Sequence, residues 1–127
     1  MTAGANHVLL YFTGGIGSCM LVLVVLYNLV AVALYLREET EGRSSAMAIV
    51  AWAMGVLSTL LWWMPCVGGI AGMFAVVVSR LERGRIYRDE SSLAGATPVR
   101  MGSVNGWLAI AMHSVLMLAL VSSWAFA

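Results

Sequence analysis

The charges in this chain are confined to two short stretches, and that confinement limits what it can fold into more than any other feature. All seven basic residues are arginines, and none lies in the first 36 or the last 27 residues. Uncharged segments fill the rest, notably residues 7–36, 45–79 and 103–124. With 61% hydrophobic and 10% charged residues, the chain has too few charges to coat a water-soluble domain, where roughly 25% is usual. An integral membrane protein built as a single domain is expected. A net charge of +1 leaves no basic footprint for nucleic acid, so no nucleic-acid partner is expected.

A hydrocarbon core of ~30 Å takes about 20 helical residues. Residues 8–36 supply the first span, longer than the minimum and carrying Thr13, Gly14 and Gly15 inside it. The 35 residues of 45–79 would make a straight helix about 52 Å long, too long for one crossing. Near their middle lies Leu61–Phe74, "LWWMPCVGGIAGMF". Pro65 with Gly68 and Gly69 marks a tight turn there, dividing the segment into spans over 46–63 and 66–81. A fourth span covers 103–124. The loops at 37–45 and 82–102 hold every arginine except Arg80, which ends the third span beside them, and this assigns them to the cytoplasmic face. The helix of the third span is expected to run past the membrane as far as Ile86.

The fold expected is therefore an all-α, four-helix transmembrane bundle, multi-pass in a bacterial cytoplasmic (inner) membrane. Both termini and the turn lie on the non-cytoplasmic side. Tyr11, Phe12, Trp62, Trp63, Trp124 and Phe126 would line the outer interface, with Tyr35 and Trp107 near the inner one. The N-terminus lacks a basic region ahead of its apolar run, so the first span is expected to stay as an anchor.

Helices in lipid approach closely through small residues. The pattern offers Gly68 and Gly72 with Ala75, Ala51 with Gly55, Gly14 with Ser18, and Gly102 with Gly106. Packing within one chain is the plain reading; contact with a second copy or another membrane protein is the sharper one. Asn28 and Asn105 are expected to hydrogen-bond between helices.

Chemistry-bearing residues are few. No Asp, Glu or Lys falls inside a predicted span, and the one Arg, Arg80, lies at the very end of the third, which argues against an ion-coupled transporter. His113 is either a neutral histidine bonded to a serine or carbonyl on a neighbouring helix, or an axial ligand to a haem or chlorophyll-type pigment. Ala109-x-x-x-His113 with Trp124 beyond it is similar to the pigment-binding segment of bacterial antenna polypeptides. Otherwise no cofactor is expected. Two cysteines and two histidines at unrelated positions give no metal-site spacing. Cys19 reads as a small apolar filler and Cys66 as a turn residue, with a disulfide between them if the helices bring them within reach. Arg80, Arg83, Arg85 and Arg88 form a surface for anionic lipid, at about 1 kcal/mol per residue, or for a partner protein.

The pieces "WWMPCVGGIAGMFAVVVSRLERGR" and "GSVNGWLAIAMHSVL" carry a Trp-Pro-x-x-Gly-type turn, a small-residue and arginine cluster, and Gly106-Trp-Leu108-Ala109-Ile110-Ala111. From about Ala46 to Leu120 this layout resembles a large uncharacterised bacterial family of small two-span membrane domains, from which Met112 and His113 depart. The resemblance implies the hairpin topology and no catalytic residue. The function expected is non-catalytic: a small accessory subunit that stabilises a larger membrane complex or its own oligomer. A cofactor-bearing subunit of a respiratory or photosynthetic assembly, with His113 as ligand, and a small oligomeric channel or carrier are the alternatives.

Overall fold

The computed structural model describes residues 7, 11, 14–15, 17–37, 44–64 and 66–125; among them only helices and turns occur. Helix α1 is Gly17–Arg37, α2 is Ala46–Leu60, α3 is Val67–Tyr87, and α4 is Ala96–Ala125, entered through a 3-10 turn at Leu93–Gly95. Two stretches, Gly17–Arg37 and Leu93–Ser122, are long and apolar enough to cross a membrane. Helix α2 has only 15 residues, and the last two turns of α3 carry Arg80, Glu82, Arg83 and Arg85.

Local chemistry sets the helix ends. Ser45 precedes α2 in an extended conformation, and its Oγ accepts the Ala48 N–H at 3.1 Å, filling one of the donors a helix start leaves open. The turn from Leu61 to Cys66 reverses the chain, with Cys66 at φ 67. Pro65, which the sequence marks as the turn, lies outside the described residues, as do Phe12, Thr13, Arg43 and Phe126. Helix α3 stops at a second left-handed residue, Asp89 at φ 56, a conformation that Asp tolerates better than most side chains. Ser92 Oγ accepts the Ala94 N–H at 3.2 Å to open the 3-10 turn. Pro98 sits in the first turn of α4, where a missing N–H costs nothing.

Helices α2, α3 and α4 pack tightly against one another, and α4 is the hub. A Cβ on Gly102 would lie 2.5 Å from the Ala51 carbonyl oxygen of α2, and one on Gly106 would lie 2.7 Å from the Gly72 carbonyl oxygen of α3. The two glycines thus admit two different helices. Helix α1 lies outside this trio. Its buried residues are Gly17, Val24 and Ala31, a strict seven-residue spacing that makes a narrow seam. Among the described residues, three helices form a core and α1 is peripheral to it.

Boundaries also differ from those the charges suggest. Helix α3 runs to Tyr87, one residue past the Ile86 expected for it, whereas α4 begins at Ala96, so residues 96–102, expected as loop, are helical. The charged side chains face outward or pair, and the backbone keeps its helix through them. A second difference concerns height. His113 meets the turn at Cys66, yet α4 continues to Ala125, about 18 Å farther along the helix. Trp62 and Trp63 therefore do not share a level with Trp124.

The interior is small and polar, and the exterior is large and apolar. Buried positions include Ala48, Ala51, Ala75, Ala94 and Ala109 together with Ser58, Thr59, Ser79, Glu82 and Asn105. Leu23, Leu29, Ile49, Ile70, Phe74, Val77, Leu118 and Val121 are exposed.

Candidate functional site

Three polar clusters lie along the bundle, and each joins helices that are distant in sequence. The first closes the arginine-rich end. Glu82, fully buried, accepts hydrogen bonds at Oε1 from the Ser45 and Ser91 hydroxyls, while Arg85 donates to Oε2 at 3.2 Å. Ser45 is also the cap of α2, so one hydroxyl accepts from a helix N-terminus and donates to the carboxylate. Beside it, Ser44 donates to the Ala94 carbonyl at 2.8 Å and bonds to the Tyr35 hydroxyl of α1. Every helix, or the residue that opens it, contributes to this knot. Burial pushes the Glu82 carboxyl upward, but the hydroxyl donors and the Arg85 cation outweigh it and leave the group below the usual glutamate range.

The second cluster lies midway. Asn105 Nδ2 donates to Asn28 Oδ1 at 2.9 Å, and Asn28 Nδ2 donates back to Asn105 Oδ1 at 3.3 Å and to the Val24 carbonyl at 2.8 Å. Trp52 Nε1 donates to Asn28 Oδ1 at 3.0 Å. Side chains of α1, α2 and α4 thus satisfy one another. This cluster, not the small-residue seam alone, ties α1 to the core.

The third cluster is at the turn. The Cys66 backbone N–H donates to His113 Nε2 at 3.2 Å. Gly69 makes room for the ring, since a Cβ there would stand 2.9 Å from His113 Cδ2. As an acceptor at Nε2, a neutral imidazole carries its proton on Nδ1, and Nδ1 is buried with no partner. The histidine thus caps a helix start through a backbone N–H, rather than meeting a serine or a carbonyl. Axial ligation through Nε2 would require that nitrogen to release Cys66.

The other residues singled out by sequence fall as follows. Gly68, Gly72, Ala75, Ala51 and Gly55 are buried between helices. Gly14 and Ser18 are exposed, and Ser18 bonds back to the Gly14 carbonyl within its own segment. Cys19 and Cys66 are both free and exposed, so the disulfide is not formed. The four-arginine surface is divided: Arg85 pairs with Glu82, and Arg88 with Glu90 at 2.9 Å. The Arg88–Glu90 hydrogen bond lowers the Glu90 carboxyl and raises the Arg88 guanidinium. Arg80 and Arg83 are exposed. No group of three or more His, Cys, Asp or Glu able to hold a metal occurs among the described residues.

Sequence reasoning placed Glu82 on the helix running past the membrane to Ile86, within the segment given to the cytoplasmic side, and did not single it out as a buried residue. The available signal was Ser45, which stands ahead of an apolar run as a helix cap does, with a second Ser pair at Ser91-Ser92 opening the next helix. Comparison with known protein families, curated proteins and solved structures finds no match to this chain.

Proposed function

We propose that the protein is a small, non-catalytic subunit of a bacterial cytoplasmic membrane, embedded through all four helices with its arginine-rich end in the cytoplasm and both chain ends on the opposite side. Its work is packing: it presents a hydrocarbon surface to lipid and to a larger membrane protein or to further copies of itself.

The observation that carries this reading is the inverted distribution of side chains. Alanine, glycine, serine, asparagine and glutamate fill most of the interior, with Val24, Val76, Val78, Val99 and Met101 among them, while leucine, isoleucine, phenylalanine and the other valines mostly coat the outside. Water would penalise such a surface at roughly 25 cal/mol per Å² of apolar area, whereas lipid does not. Helix α1 is the extreme case. It touches the core along one seam and leaves Leu21, Val22, Leu23, Val25, Leu26, Leu29 and Val30 exposed. A helix so lightly held by its own chain is suited to packing against another one.

The test is native purification from membranes in mild detergent, followed by mass spectrometry of the intact assembly. The expected result is a fixed stoichiometry with a larger integral membrane protein or a defined homo-oligomer. A monodisperse monomer at native abundance would refute the subunit role.

A further inference from the structure

Resting on this membrane reading, we infer that the α2–α3 hairpin is re-entrant: it enters from the arginine side and turns within the hydrocarbon, where His113 replaces water as the partner of the turn's backbone. Helix lengths counted from the exposed arginines support it. Arg80 of α3 and Arg100 of α4 are both exposed near the arginine end. From Arg80 to Cys66 is fourteen residues and from Arg100 to His113 thirteen, or about 20 Å of helix in each case. A hydrocarbon core is ~30 Å thick. The turn thus stops about 10 Å short of the far boundary. Helix α4 is not short, since it runs on from His113 to Ala125.

The backbone bonding of the turn fits immersion, although His113 Nδ1 is buried without a partner. Non-helical backbone at membrane depth persists only where protein satisfies its polar groups. Leu61 N–H donates to the Leu57 carbonyl at 3.0 Å, Met64 N–H to the Leu61 carbonyl at 3.0 Å, and Ile70 N–H to the Cys66 carbonyl at 3.0 Å. Cys66 provides no side-chain cap for α3, and its own N–H would be left open. That donor goes to His113 from the neighbouring helix. At a wet interface, water would serve the same group and no histidine would be needed. The segment around the turn carries no charged residue, and Trp62 is wedged against Gly17 of α1, where a Cβ would lie 2.7 Å from its ring.

Native Cys66 allows a direct measurement of depth. A Cys19→Ser protein would carry a nitroxide label on Cys66 and be reconstituted into phosphatidylcholine–phosphatidylglycerol vesicles. Its collision rates with dissolved oxygen and with a polar nickel chelate would then be compared by electron paramagnetic resonance. Two references share a background with both native cysteines replaced by serine: Leu26→Cys at mid-α1 and Trp124→Cys near the end of α4. The expected oxygen-to-nickel ratio for Cys66 is well above that of Trp124→Cys and approaches that of Leu26→Cys. A Cys66 ratio equal to that of Trp124→Cys, with Leu26→Cys still high, overturns the re-entrant hairpin and leaves the membrane reading standing. A low ratio at Leu26→Cys overturns the membrane reading itself, and the hairpin inference with it.

Discussion

Two residues are held in states that their chemistry does not favour, and each predicts a gain on replacement. Cys66 occupies φ 67, where a Cβ crowds the following carbonyl at a cost of about 1–2 kcal/mol. Cys66→Gly is expected to raise the thermal midpoint in detergent, and Cys66→Ala, which keeps the Cβ, to leave it unchanged; differential scanning fluorimetry separates the two. Ser79 has its hydroxyl buried without a partner. Ser79→Ala removes an unsatisfied group worth about 1–3 kcal/mol and is expected to stabilise the protein in the same assay. Neither position was legible from sequence. A serine in an apolar helix ordinarily bonds back to a carbonyl of the preceding turn, as Ser114 does to Ile110 at 2.8 Å. Only the packed neighbours show that Ser79 does not. The tight turn, by contrast, was readable from Pro65 with Gly68 and Gly69 and from the length of the uncharged run around them, although the two glycines belong to the first turn of α3.

Helices carry the next level of specificity, and here the small residues were visible while their partners were not. Gly102 and Gly106 form a four-residue pair that reads as one contact face, yet Gly102 meets α2 and Gly106 meets α3. Four residues advance a helix by more than a full turn, so the pair straddles the edge between two neighbours. Gly102→Leu is therefore expected to separate α2 from α4 and abolish the folded state, because its Cβ would stand 2.5 Å from the Ala51 carbonyl oxygen. Size-exclusion behaviour in detergent would show the loss. The attachment of α1 is a different matter, because a seven-residue seam gives it little area. Asn28 and Asn105 bond reciprocally, and a double-mutant cycle with Ala at both sites should return a coupling of roughly 0.6–1.7 kcal/mol, the range for hydrogen bonds between membrane helices. A coupling of zero would mean that this pair does not hold α1, leaving apolar contact and the Tyr35–Ser44 and Trp52–Asn28 bonds to do so. Glu82 escaped notice at this scale too, since its burial depends on Ser45 and Ser91 arriving from other segments.

At the scale of the whole molecule, the arginine-side knot is what gathers four helices into one unit, and its strength depends on pH. Glu82 takes donors from Ser45 and Ser91 and a cation from Arg85, and its carboxyl titrates below the ordinary glutamate value. A carboxyl whose pKa is lower folded than unfolded binds fewer protons in the native state, so its contribution is fully present above the unfolded value of about 4.3 and is lost as the pH falls through the lower, folded one. The thermal midpoint should hold steady from neutral pH down to about 5 and then decline. Glu90 is lowered as well, but it is exposed with Arg88, where such pairs count for little. Glu82→Gln separates the two. An amide keeps one acceptor oxygen for the serines, but it adds donors facing Arg85 and removes the charge. The variant should begin at neutral pH with a lowered midpoint and show a flatter acid limb than the parent. If parent and variant fall in parallel as the pH drops, Glu82 is not the group that titrates, and the knot is held by its hydroxyls rather than by its charge.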